Sequence, residues 1–215
     1  MFDRLDSLSD ELLAAYLDGN TTPEENLKIW QVLQHDGQER EAFEVACNSL
    51  DIPVFFAASS CRNLCVIRSE LAVLQKRGKE VTEEELIQIA LKQHWYEEEK
   101  GTPLIGKLVE SFGLKVERRF CREINELFRE LEQGHDVIAC VDGGELSGNL
   151  EQEEFEDRWI GEIPDHVVLV RNIDYSEPPR VEVYDVAMEE PVRYYPLDCF
   201  IDSWKDSKYY MISIK

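Results

Sequence analysis

Three residues far apart in the chain are of the types, and in the local settings, that activate a thiol: Cys65, His166 and Asp185. In the run CVIRSELAVLQKRG the spacing of Ile67, Leu71 and Leu74 predicts a helix ended by Gly78, which places Cys65 in its first turn. Unpaired N–H groups and the helix dipole favour a thiolate there. His166 opens HVVLV, the most apolar strand-like run, and Asp185 closes the next one, VEVYD. Adjacent antiparallel strands would bring such an acid to the imidazole, so that the histidine takes the thiol proton and the aspartate orients the ring. The chemistry this predicts is nucleophilic attack on a carbonyl, with no metal and no cofactor.

Other chemistry competes for the same residues. Cys61 and Cys65 at C-x-x-x-C spacing form half a zinc site if His94 or His166 joins them, although the usual second close pair of ligands is missing. The same two thiols make a redox pair only if Cys61 lies in the loop before the helix. The acidic stretches HWYEEEK and GGELSGNLEQEEFED invite calcium but lack EF-hand spacing, and read better as a solvent-facing helix end and a solvated loop. Trp95, Tyr96, Trp159 and Trp204 either line a peptide groove or pack at the core and its rim.

The elements that must hold these residues divide the chain. In residues 1–50 Ser9 is placed to cap SDELLAAYLD, with Leu12, Leu13, Tyr16 and Leu17 on one face. Thr22, Pro23 and Glu25 start a second helix carrying Leu27, Trp30, Val32 and Leu33, and 41–50 adds a third. Residues 51–60, DIPVFFAASS, lose both charge and helical period and are read as a connecting segment. From 61 to 215 come the Cys65 helix, a helix behind the capping box Thr82/Glu85, an amphipathic run from Thr102-Pro103 through Phe112, and a helix over 124–131. The short runs VIACVD, HVVLVRNI, RVEVYDV, VRYYPL and YYMISI follow. Helices first and strands later, without regular alternation, predict an α+β domain with an antiparallel sheet.

From Cys65 onward the chain resembles papain-like cysteine peptidases of the bacteriocin-processing type, which cleave leader peptides, and in particular their stand-alone bacterial relatives. CVIRSELAVLQKRGKEVTEEELIQIA is similar to the nucleophile helix and the helix after it, and HWYEEEKGTPLIGKLVESFGLKV to the Gly-Thr-Pro segment with the helix and strand that follow. GHDVIACVDGGEL, DHVVLVRNID, VYD and YPLDCFIDSWKDSKYYMISI continue the order. The resemblance implies a papain-like fold, with Cys65 as nucleophile, His166 as base and Asp185 as orienting acid. Family members carry a Gln shortly before the nucleophile that donates to the oxyanion, whereas FFAASSCRNL contains none. Asn63 is the nearby amide left for that role, and loss of one oxyanion donor typically costs on the order of a hundred- to a thousand-fold in turnover. A catalytically inactive peptide-binding relative is therefore the alternative. LSDELLAAYLDGNTTPEE is similar to the helical N-termini of anti-sigma-factor-like proteins, which implies either a docking module for a protein partner or a helical cap.

Across its 215 residues the chain carries 23 Lys and Arg against 45 Asp and Glu, a formal net charge of −22. That field repels phosphate backbones and anionic lipid, which sets aside nucleic acid and membrane surfaces; it favours a basic peptide as substrate on electrostatic grounds, although solubility is the commoner reason for such acidity. The N-terminus has acidic residues where a secretory signal is basic, and the six cysteines are scattered, so a cytoplasmic setting with reduced thiols is expected.

Overall fold

The computed structural model describes residues 8–17, 20–22, 25, 28–29, 32–33, 43, 64–95, 105–148, 164, 166–186 and 190–215. Its elements run α1 (Asp10–Leu17), α2 (Cys65–Lys76), α3 (Glu83–Lys92), α4 (Lys107–Ser111), β1 (Val116–Phe120), α5 (Ile124–Glu132), β2 (Asp136–Val141), α6 (Gly143–Ser147), β3 (His166–Asp174), β4 (Arg180–Tyr184), β5 (Val192–Pro196), α7 (Leu197–Lys205) and β6 (Tyr210–Ile214). The strands form one antiparallel sheet in the order β1-β6-β2-β3-β4-β5. The fold class is α+β, as the segment order predicts.

Both faces of the sheet are covered, and the period of two along each strand sorts its side chains between two cores. On β2, Ile138 and Cys140 join the cluster beneath α2, α3 and α4, while Val137, Ala139 and Val141 join the one beneath α5, α6 and α7. Val167 and Leu169 on β3 go to the first cluster, Val168 and Val170 to the second. Tyr210, Ile212 and Ile214 on β6 face the first, Met211 the second. Double coverage is why these central strands read as nearly continuous apolar runs. Full burial of one such side chain contributes roughly 1.5–3 kcal/mol, so the sheet centre is a main source of the domain's stability.

Between Val170 and Asn172 the β3–β4 register shifts by one residue. Strict alternation would put Ile173 with Val167 and Leu169; the shift at Arg171 returns it to the cluster of Val168 and Val170.

The helix starts expected at Ser9, Thr22 and Thr82 follow their capping chemistry. Ser9 Oγ accepts the N–H of Leu12 at 3.2 Å. Thr22 and Glu25 exchange the two bonds of a capping box, and Thr82 and Glu85 do the same at the start of α3. At the other end of α2, Lys76 and Arg77 both bind the buried carboxylate of Asp136, 2.5 and 2.8 Å away, which ties the helix to β2. Leu8, Leu13, Ile29, Val32, Leu33 and Phe43 make a third apolar cluster, distinct from the two around the sheet. Segment 51–60 and the side chains of Tyr16, Leu17, Leu27 and Trp30 lie outside the described residues.

Two expectations need correction. In the run expected to be helical from Thr102, Ile105 and Gly106 form a turn rather than helix and α4 spans Lys107–Ser111, while residues 102–104 lie outside the described residues. The first part of the acidic stretch after Val141 is not a loop but the short helix α6, because Asp142 Oδ1 accepts the N–H of Glu145 at 3.0 Å.

Candidate active site

Cys65 is the first residue of α2, and Leu64 before it has no side-chain oxygen with which to cap the first-turn N–H groups. No acidic residue occupies that turn. Both features leave the positive end of the helix to act on the sulfur. Hydrophobic packing fixes the position, since Val66, Ile67, Val73 and Leu74 are buried in the same cluster as Cys65 and α2 lies against β3. The thiol itself is only 2% exposed.

His166 is the first residue of β3, paired with Val141 at the end of the β2–β3 ladder. It shares the parity of Val168 and Val170, and Asp185 shares that of Val181 and Val183, so both stand on the α7 side of the sheet. Continuing the Leu169–Tyr184 register by one residue sets Asp185 opposite Val168, diagonal to His166 and within side-chain reach. The result is a 2.9 Å hydrogen bond between His166 Nε2 and Asp185 Oδ1. With Nε2 so occupied, Nδ1 is the nitrogen left for the side-chain hydrogen bond that His166 makes with Cys65. Cys65 belongs to the opposite cluster, so the three meet at the end of the sheet.

Burial by itself would lower the pKa of His166. The hydrogen bonds to Asp185 and Cys65 outweigh it and keep the imidazole protonated up to about 10. Asp185 is 1% exposed, its N–H donates to the carbonyl of Pro191 at 2.6 Å, and the Tyr195 hydroxyl lies 3.4 Å from its Oδ2. The other described thiols are held protonated. Burial pushes Cys140 well up, with the charge of Cys65 adding to it, and pushes Cys121 up to about 12. Cys199 is raised by burial and by Asp198.

A groove of about 280 Å³ runs beside α2, lined by Arg68, Leu71 and Gln75 on one side and by Tyr184, Val186 and Pro191 on the other. Arg68, one turn beyond Cys65, forms a two-pronged ion pair with Glu83 of α3 at 3.0 Å for each contact. Tyr184 and Val186 flank Asp185 in sequence and the carbonyl of Pro191 accepts its N–H, so one side of the groove is built from the neighbours of Asp185.

The structure brings together Cys65, His166 and Asp185; Asn63, the candidate oxyanion donor, lies outside the described residues, as does Cys61. Trp204 does not line a groove: it is fully buried and donates its Nε1–H to the carbonyl of Tyr210 at 2.8 Å. Trp95 packs against the α2 cluster, and Tyr96 and Trp159 are outside the described residues. Among the described residues no three His, Cys, Asp or Glu side chains group as a metal site, and no helix is long and apolar enough to cross a membrane.

Sequence reading passed over Glu70 and Tyr195. Glu70 left a signal, because it falls on the buried stripe of α2 with Val66, Val73 and Leu74. A carboxylate on such a stripe needs donors, and it has two, the N–H groups of Gly106 and Val109. Tyr195 left none beyond its alternate position in VRYYP.

No protein-family model matches the chain, and no curated protein matches it. Among solved structures it is similar to a candidate C39-like peptidase from Bacillus anthracis, with 14% identity over 70% of this chain and 88% of that one and a TM-score of 0.48. No residue role is carried over from that likeness, and no match supports the likeness of the first segment to anti-sigma-factor-like proteins.

Proposed function

We propose that residues 61–215 form a papain-like cysteine peptidase domain that hydrolyses peptide or amide bonds. The observation that carries this reading is the hydrogen-bonded series Cys65–His166–Asp185 at the end of the sheet, with the thiol at the uncapped start of a buried helix. In the mechanism the Cys65 thiolate attacks the carbonyl carbon, and the backbone N–H of Cys65 is a donor for the developing oxyanion, with Asn63 as the side-chain candidate. Imidazolium His166 gives its proton to the leaving amine, and Asp185 holds the ring so that Nδ1 faces the sulfur. Water, deprotonated by the now neutral His166, then releases the acid product and the free thiol.

The formal charge of −22 favours a basic peptide, and the groove beside α2, with its mixed polar and apolar lining, is the candidate place for residues flanking the scissile bond. The first 50 residues are read as a separate helical segment, with a protein partner or the main domain as its contact. No observation requires a metal or cofactor for this chemistry.

The test is selective alkylation of the folded chain at neutral pH with iodoacetamide, followed by peptide mapping. Cys65 should react far faster than Cys121, Cys140 and Cys199, and His166→Ala should remove the difference. Equal, slow labelling of all four would sink the hydrolase reading.

A second reading is favoured by the low exposure of Cys65 and by the absence of Gln from the stretch before it: a peptide-binding relative without turnover. It predicts unchanged affinity for a captured basic peptide in Cys65→Ala and no cleavage by the wild type.

A further inference from the structure

We propose that Tyr195 is a positioning residue for this site: by donating to Asp185 Oδ2 it leaves Oδ1 as the oxygen that faces His166. The inference rests on the hydrolase reading for its purpose, though not for its measurement.

A carboxylate at the end of a strand turns about its last bond with a broad, two-fold preference, so either oxygen can meet the imidazole. Here the two oxygens are given different partners. Oδ1 is 2.9 Å from His166 Nε2, and Oδ2 is 3.4 Å from the Tyr195 hydroxyl. The second contact is long for an O–H···O bond.

The phenol is held from two directions. Its backbone pairs with Val181 on β4, and its ring packs against the cluster beneath α7. Neighbouring Arg193 pairs with Val183, so β5 is registered against the strand that leads into Asp185. Burial and the nearby Asp185 push the Tyr195 hydroxyl up to about 12, so it remains a donor wherever the site would work. The titratable and charged groups that face the two titrating side chains are Cys65 and Asp185 for His166, and Asp185 and Arg193 for Tyr195.

Nothing in the fold requires the hydroxyl. Phe at this position keeps the ring packing and removes only the donor. Its loss frees the carboxylate to rotate, which weakens the ion pair that holds the imidazolium.

The experiment is an NMR titration of the His166 ring in the full chain, wild type against Tyr195→Phe, with circular dichroism as the check on folding. The expected result is a His166 midpoint lower by about half to one pH unit in the variant. An unchanged or higher midpoint overturns the proposal. If Tyr195→Phe does not fold, the reciprocal measurement decides: Asp185→Asn should lower the Tyr195 phenol midpoint, followed through a carbon label on the ring, and no change there overturns the proposal equally. Slow, uniform alkylation of the wild-type thiols would end the hydrolase reading while leaving the Tyr195–His166 coupling measurable. Fast alkylation of Cys65 with an unmoved His166 would end the role of Tyr195 alone.

Discussion

Glu70 holds Gly106 through a 2.9 Å hydrogen bond from the glycine N–H to Oε1, and the same carboxylate takes the N–H of Val109 on Oε2 at 2.9 Å. Helix α2 thereby grips the turn that starts α4. Arg118 of β1 reinforces it, with Nε on the carbonyl of Ile105 and a terminal nitrogen 2.6 Å from Glu110.

Burial raises the pKa of Glu70 to about 7 in spite of its two donors. The folded chain therefore binds a proton more tightly than the unfolded chain, whose ordinary carboxylate value is about 4.5. The sign follows: this contribution to stability is complete below that value and is lost as pH rises toward 7. Glu70→Gln has no such titration and leaves one of the two N–H groups facing an amide that cannot accept. In urea unfolding the variant should be less stable at pH 5 by about 1–3 kcal/mol. The gap between variant and wild type should narrow between pH 5 and pH 8; a constant gap counts against the assignment.

Gly106 adopts φ +97°, and an added Cβ would meet Val116 Cγ1 at 2.9 Å, the Arg118 guanidinium at 3.0 Å and Ile212 Cδ1 at 3.3 Å. Gly134 has a similar φ of +78° with nothing within 4 Å. Gly134→Ala should cost only backbone strain, about 1 kcal/mol. Gly106→Ala should cost more, roughly 2–4 kcal/mol, because β1 and β6 have to yield as well. Thermal unfolding of the two variants side by side checks the order.

Asp185→Asn replaces the charged partner of His166 with a neutral one of the same shape. The His166 midpoint should fall from about 10 by about one to three pH units, and the alkylation rate of Cys65 at pH 9 should fall with it. The imidazole gains its partner on folding, so its contribution to stability is complete below its ordinary value of 6.5 and is lost as pH rises through about 10. Stability between those limits should therefore depend less on pH in the variant.

Much of this arrangement was legible from residue types. Helix starts at Ser9, Thr22 and Thr82 follow from side chains that cap within their own turn, and such local chemistry survives folding. Cys65, His166 and Asp185 were legible because each sits at the first or last position of a strongly patterned run. β1 was not found by pattern: VERRF is mostly charged, yet it pairs along β6, with Arg119 bound to Glu130 of α5 and Glu117 to Lys215. Partners from distant segments make such a strand, and no local period records them. The register shift at Arg171 was hidden for the same reason, since HVVLVRNID has no glycine or proline to mark it. Tyr195 became visible only when β5 was laid beside β4.

That shift at Arg171 also separates two parts of β3 that answer to different demands. On the near side, Leu169 and Val170 are paired with Tyr184 and Val183, and a gain or loss of one residue between that pairing and His166 would turn His166 away from Asp185. On the far side the extra residue is already taken up. Arg171 can be removed and Val170, Asn172 and Ile173 keep the partners they now have. The strand thus works like a ruler with an expansion joint at its outer end: a change of length beyond Arg171 leaves the pairing of Leu169 with Tyr184 in place, and with it the spacing between His166 and Asp185.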